Sequence, residues 1–205
     1  MTTYATLKTD VSAWLSRGDL TESLIGSFVR ICESEIRRKV RVGAMETTDE
    51  AFPVSARATA LPSGFISMRS VSLDQEGARD LDYLPPSRLR SSGLLDSSGY
   101  PRAYTIEGTN LVLAPTPSSG TNLHLVYYAM FDGLSLDADT NWLLANAYDV
   151  YLYGTLRAAC EYIMDANLEA QYQAKFQNAV EEVNISDSWG RVSGSALIST
   201  GNSTP

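Results

Sequence analysis

Histidine occurs once in this chain, at His124, and cysteine twice, at Cys32 and Cys160. One imidazole, set in a run that alternates like a strand, leaves no partner set for a nucleophilic triad or a zinc site. The cysteines stand in helical apolar patterns with no CxxC or Cys/His spacing, so both are expected as buried free thiols. No glycine-rich phosphate loop occurs, and "PSSGTN" and "IEGTN" are turn sequences. Glu33 and Glu35 are two apart on a helix and face different ways, and Glu181 and Glu182 do not converge either, so no local carboxylate pair suits acid–base work. The expectation is a protein with no catalytic residues, no metal and no cofactor.

Clustered basic charge is also scarce. The chain carries 16 Lys and Arg against 24 Asp and Glu, a formal charge of −8. Residues 1–100 hold 12 basic against 13 acidic side chains, and residues 101–205 hold 4 against 11, so the acidity belongs to the second half. Binding nucleic acid by phosphate neutralisation needs grouped Lys and Arg, and this pattern argues against it. A membrane span wants roughly 20 apolar residues, and the greasiest stretch is interrupted by Asp149, Arg157 and Glu161. The start, "MTTYATLKTDVSAW", lacks the basic region, apolar run and cleavage site of a signal peptide, so cytoplasmic synthesis is expected.

What is present is a globular pattern in three parts. Tyr4, Leu7, Val11, Trp14 and Leu15 recur at helical spacing, and after "RGDL" a second helix is predicted from about Thr21 to Val40. Its apolar face is Leu24, Ile25, Phe28, Ile31, Cys32 and Ile36, and Arg37, Arg38, Lys39 and Arg41 complement the macrodipole at its end. That basic end reads as a capped, solvated terminus or as a contact with an acidic neighbouring subunit or nucleic acid. From Met45 to about Phe131 the pattern turns to short strands with Pro and Gly between them. Strands are predicted at Ala51–Thr59 and Ile66–Leu73, joined through a Pro62/Gly64 turn, then a hairpin about Gly108 and a last strand over "NLHLVYYAMF". "PPSRLRSSGLL" predicts a short helical turn and loop.

Thr140 or Asn141 is placed to cap the stretch "NWLLANAYDVYLYGTLRAACEYIMD", which predicts one long helix over Asn141–Asp165. Asn146, Asp149, Tyr153, Arg157 and Glu161 form one narrow stripe on it, and the rest of its circumference is apolar or aromatic. Such a helix is buried on several sides, either as a central core helix or with part of its surface against another subunit. Leu143, Tyr148 and Tyr151, with Arg37 and Arg38 from the second helix, are the candidate subunit contacts. A last helix is predicted from Asn167 to Ile185 with Leu168, Tyr172, Phe176, Ala179 and Val183 on its face. "WGRVSGSALISTGNSTP" has only Trp189, Val192, Leu197 and Ile198 to bury among Gly, Ser and Thr, the composition of a free arm. The expected class is α+β: a helical bundle from residues 1–44 and 132–187, a central antiparallel β insertion over 45–131, and an extended arm over 188–205.

Taken in order, "VSAWLSRGDLTESLIGSFVRICESEIRRKVRVGAMET", "ALPSGFISMRSVSLD", "YPRAYTIEGTNLVLAPTP" and the greasy helix with its Tyr/Phe-faced successor resemble the short head-to-tail adaptor proteins of tailed bacteriophages, which dock beneath the portal. The resemblance covers nearly the whole chain. It implies a non-enzymatic protein of the virion neck, assembled in the host cytoplasm as a homo-oligomer of twelve copies. Its partners would be the portal above and a tail nozzle or tail tube below, with genomic DNA passing through the lumen without specific binding and no membrane involved. Trp189, Val192, Leu197 and Ile198 would then anchor a portal-binding arm. Two other classes stay open: a tail-completion or tube-terminating ring, whose symmetry is usually six-fold, and a virion-associated enzyme that degrades cell wall.

Overall fold

The computed structural model describes residues 2–73, 79–118 and 120–192. The chain divides into two compact units, residues 1–43 with 131–205 and residues 44–130.

The first unit is helical. Helix α1, Tyr4–Leu15, starts where the Thr3 hydroxyl accepts from the Thr6 amide and stops at Ser16 in a left-handed conformation. Helix α2, Glu22–Lys39, is capped by Thr21 and ends in the three cations Arg37, Arg38 and Lys39, as the pattern predicts. The long helix expected over Asn141–Asp165 is two. Asn141 caps α4, Trp142–Asn146, through the Leu144 amide; Ala147 then leaves helical geometry at φ −140°, ψ 61°, and α5 runs over Tyr148–Tyr162. Beside the break the Asn146 amide donates to the Trp142 carbonyl at 2.8 Å, the local side-chain competition that makes Asn a poor interior helix residue. Met164 at φ 60° reverses the chain, and Asp165 accepts from the Leu168 amide to open α6, Ala166–Val192. That last helix continues seven residues past the expected end at Ile185.

Helix α5 is the centre of this unit. It packs on α1, α2, α4 and α6, and Val150, Tyr151, Leu152, Leu156, Ala158, Ala159 and Cys160 are buried. The polar stripe is only partly wet: Asn146 and Glu161 are exposed and Asp149 and Tyr153 are half-buried, but Arg157 turns inward to Glu35 with 13% of its side chain exposed. Gly154 permits the close approach of two neighbours, since a Cβ there would lie 2.4 Å from the Cys32 sulfur and 3.0 Å from the Phe176 ring. Both cysteines are buried and free.

The second unit holds two sheets. One has the order β1-β7-β3, from β1 (Glu46–Val54), β3 (Phe65–Leu73) and β7 (Thr121–Ala129), all antiparallel. The other has the order β2-β6-β5-β4, from β2 (Ala58–Ala60), β4 (Asp82–Tyr83), β5 (Ala103–Glu107) and β6 (Asn110–Ala114). Strand β7 alternates as its sequence does, with Leu123, Leu125 and Tyr127 inward and His124 half-buried. The β5–β6 hairpin turns at Gly108, whose φ of 62° suits a tight two-residue connection. Helix α3, Pro86–Ser91, and a 3-10 turn at Leu94–Asp96 occupy the predicted helical-turn segment.

Two expectations change here. The run Ala51–Thr59 is not one strand: β1 ends at Val54 and pairs with β7, while β2 pairs with β6 in the other sheet. The Pro62/Gly64 turn therefore links strands of different sheets and makes no hairpin. The insertion is also not wholly antiparallel, because β4 runs parallel to β5. The inner faces of both sheets share one core, which includes Val71, Leu111, Leu113, Leu123 and Leu125, and α3 covers a smaller one built on Leu89, Ala103, Val112 and Ala114.

Candidate assembly surface

Two of the residues expected at a subunit contact serve their own chain. Leu143 on α4 and Tyr151 on α5 have no exposed surface in the single subunit; α4 packs on α5, and α5 is flanked by α1, α2 and α6 as well. This corrects their assignment as subunit contacts. Tyr151 ends in a polar cluster: its hydroxyl accepts from the Asn141 amide at 2.8 Å and lies 3.4 Å from Glu33. Tyr148 is half-buried and its hydroxyl donates to Asp10, with burial and then that hydrogen bond holding its phenol protonated well above the ordinary range. Arg37 and Arg38 are exposed at the end of α2, where Arg38 donates to the Ser34 hydroxyl at 3.0 Å. Of the arm residues, Trp189 and Val192 fall within α6, and Leu197 and Ile198 lie outside the described residues.

Beneath the surface is an ionic group that the sequence reading did not single out. Glu35 is buried and bonds Arg157 of α5 and Lys39 at 3.0 Å. Burial pushes its carboxyl up, but the Lys39 hydrogen bond and the Arg157 charge outweigh this and hold it below the usual range. Spacing carried the signal: Glu35 stands seven residues after Phe28 and three after Cys32, on the buried face of α2. Glu33 lies on another face, accepts the Leu134 amide at 2.9 Å, and is raised chiefly by burial.

The exposed apolar residues are the unexpected part. Trp14 and Ile31, expected on buried faces, are 50% and 45% exposed. Trp14 stands in the last turn of α1, whose buried residues are Tyr4, Leu7 and Val11. It meets the rings of Tyr153 and Tyr172, whose centroids lie 6.3 and 6.5 Å away, and those two rings stack at 6.4 Å. Lys175 places its ammonium 5.4 Å from each tyrosine centroid. In the segment between β7 and α4, Phe131 stacks on Trp142 at 5.9 Å and Leu136 is 69% exposed.

This surface is aromatic and cationic in places. Among the described residues no group of three His, Cys, Asp or Glu side chains is placed to hold a metal ion. The clefts are shallow. One of about 460 Å³ lies against α1 and α2 beside Lys8 and Glu22, and one of about 530 Å³ in the β unit is lined by Arg79, Tyr100 and Arg102. Among the described residues no helix is long and apolar enough to cross a membrane.

No curated protein matches the chain. The family model described as SU10 adaptor protein matches residues 2–198, through both units. With α helices at both ends, a two-sheet insertion between them and the match spanning all of it, the chain belongs to the SU10 adaptor proteins, a bacteriophage head-to-tail adaptor family whose role is structural.

Proposed function

We propose that this adaptor works as a ring of twelve copies seated beneath the portal, joining it to the tail nozzle or tail tube and lining part of the channel that DNA crosses. The observation that carries the proposal is the family match over residues 2–198. Charge supports the channel role. Each copy carries −8, mostly from residues 101–205, so a closed ring of them repels the phosphate backbone and keeps DNA from adhering. Arg37 and Arg38, exposed at the end of α2, offer a neighbouring acidic copy a complementary patch. Tyr148 contributes to that neighbour contact through whatever ring edge it presents beyond Asp10.

The arm after α6 supplies the portal contact, with Leu197 and Ile198 as anchors and Trp189 and Val192 at its root. One arm holds weakly, because ordering a Gly/Ser-rich segment offsets the burial of two to four apolar side chains. Twelve arms engage together, and effective concentration turns weak attachment into avid attachment. Deleting residues 193–205 leaves α6 whole and should release the ring. Truncated and full-length protein are compared by co-sedimentation with the cognate portal, with circular dichroism to check folding. Loss of the truncated form from the portal pellet is expected, and equal pelleting of both forms overturns the arm's role.

A further inference from the structure

The β unit of this acidic chain holds a cleft of about 530 Å³ whose charged lining residues, among those described, are Arg79 and Arg102, both cations. Other arginines of the unit are engaged. Arg57 donates to the Leu95 carbonyl at 2.9 Å, Arg69 pairs with Glu46 at 3.3 Å and Arg90 with Glu107 at 3.2 Å. Arg79 and Arg102 are exposed, and among the described residues neither has a carboxylate at ion-pair distance. Asp80, Asp82 and Asp96 stand close by along the chain, yet none of them lines the cleft. Two like charges on one cleft repel each other, and an anion bound there relieves the repulsion.

The backbone that carries both arginines is already anchored. The segment from Ser97 to Arg102 is laced to the chain leaving β6: the Thr116 amide donates to the Ser97 carbonyl at 3.0 Å, the Gly99 amide to the Thr116 carbonyl at 2.9 Å and the Arg102 amide to the Ala114 carbonyl at 2.9 Å. The Arg102 carbonyl accepts the Asp82 amide at 3.0 Å, and the Arg79 carbonyl accepts the Leu73 amide at 3.1 Å. Open guanidiniums on a fixed main chain are the preorganisation that lowers the entropic cost of binding.

The rest of the lining selects the kind of anion. Leu73, Leu94, Pro101 and Pro115 supply apolar wall, and the Tyr100 ring, 57% exposed, joins them. A phosphate backbone gains nothing from such walls, and residues 44–130, with nine acidic side chains against six basic, repel a polyanion as a whole. A protein segment matches both parts of the cleft. Its carboxylate accepts paired N–H donors from a guanidinium, and an aliphatic side chain beside it covers the leucines and prolines. We infer that this cleft takes an acidic–apolar peptide segment of a partner protein, with a Glu or Asp carboxylate on Arg79 and Arg102. The site is separate from the arm and does not depend on the number of copies in the ring.

The test is an amide NMR titration of isotope-labelled full-length protein with an end-blocked Leu-Glu-Glu-Leu peptide. Saturating shifts of the Gly99, Tyr100 and Arg102 amides are expected. Binding should weaken about tenfold or more for the Leu-Gln-Gln-Leu peptide, and by a similar factor in Arg79→Gln and in Arg102→Gln. Arg88→Gln, on α3 and outside the lining, should bind as the parent does; circular dichroism checks that each variant is folded. No shifts with the acidic peptide, or equal binding by the Gln peptide or by the two cleft variants, overturns the site. A short DNA duplex that moves the same amides more strongly than the peptide assigns the cleft to phosphate and overturns the peptide reading. Binding that emerges only after Asp74→Asn/Glu76→Gln shows that the chain fills the cleft itself, and overturns it as well.

Discussion

Replacing Gly154 with alanine should destabilise the helical unit although alanine is the better helix former. The intrinsic gain is about 1 kcal/mol in a helix interior. Against it, the new methyl would stand 2.4 Å from the Cys32 sulfur and 3.0 and 3.1 Å from two carbons of the Phe176 ring. Cys32 and Phe176 have no exposed surface, so neither swings into solvent. Overpacking costs about 1–3 kcal/mol, and two enclosed neighbours place this site at the upper end, for a net loss of about 2 kcal/mol. Cys32→Ala alone, which removes one buried sulfur, should cost about 1 kcal/mol. In the double variant the added methyl occupies the space that the sulfur leaves, so the total should be about 1 kcal/mol and not the additive 3, a coupling of about 2 kcal/mol. Urea unfolding of the four proteins, followed by tryptophan fluorescence and far-UV dichroism, measures each term. Additive losses, or a Gly154→Ala variant as stable as the parent, would refute the close packing of α2, α5 and α6 at this point.

Arg157→Met takes the inner partner from buried Glu35, and breaking such a pair costs about 3–5 kcal/mol; Lys39, still 3.0 Å away, should hold the loss to about 2 kcal/mol, with Arg157→Met/Glu35→Leu recovering most of it in chemical denaturation. Glu33 has a carboxyl raised chiefly by burial, so it binds a proton more readily folded than unfolded; its contribution is fully present at low pH and is lost as pH rises through its folded pKa, above the ordinary carboxylate range. Denaturation of the parent and Glu33→Gln from pH 4 to pH 7 should therefore show the parent losing ground to the variant with rising pH, and parallel curves would contradict this. Lys8→Ala unfastens the segment around Leu136, and hydrogen exchange at the Ala5 and Leu136 amides should quicken while that of α5 stays unchanged.

Helix-forming pattern was legible wherever caps and periodicity agreed. Thr21 and the Arg37–Lys39 run bracketed α2, whereas the polar stripe from Asn146 to Glu161 foretold exposure only at its two ends, since Arg157 turns inward to Glu35. The break at Ala147 was not legible, since the apolar spacing runs through it and only the backbone dihedrals reveal it. Strand existence could be read from alternation, but the division of residues 46–60 between two sheets depends on partners fifty or more residues away in β6 and β7. The candidate surface was the least readable part. Periodicity assigned Trp14 and Ile31 to buried faces because it contains no information on where a neighbouring helix ends. Leu136 offered no periodic signal at all; its exposure follows from the Asp139 and Lys8 contacts that pin its turn. The buried side of Leu143 and Tyr151 was likewise hidden, because an apolar helix looks the same whether its own chain or a neighbour covers it.

The most direct test of the adaptor role is an electron-microscopy reconstruction of the virion neck with the chain traced in it. The prediction is twelve copies between the portal and the first tail protein, with acidic side chains toward the lumen. A six-fold ring at the tail end, or a neck complete without this chain, would contradict it.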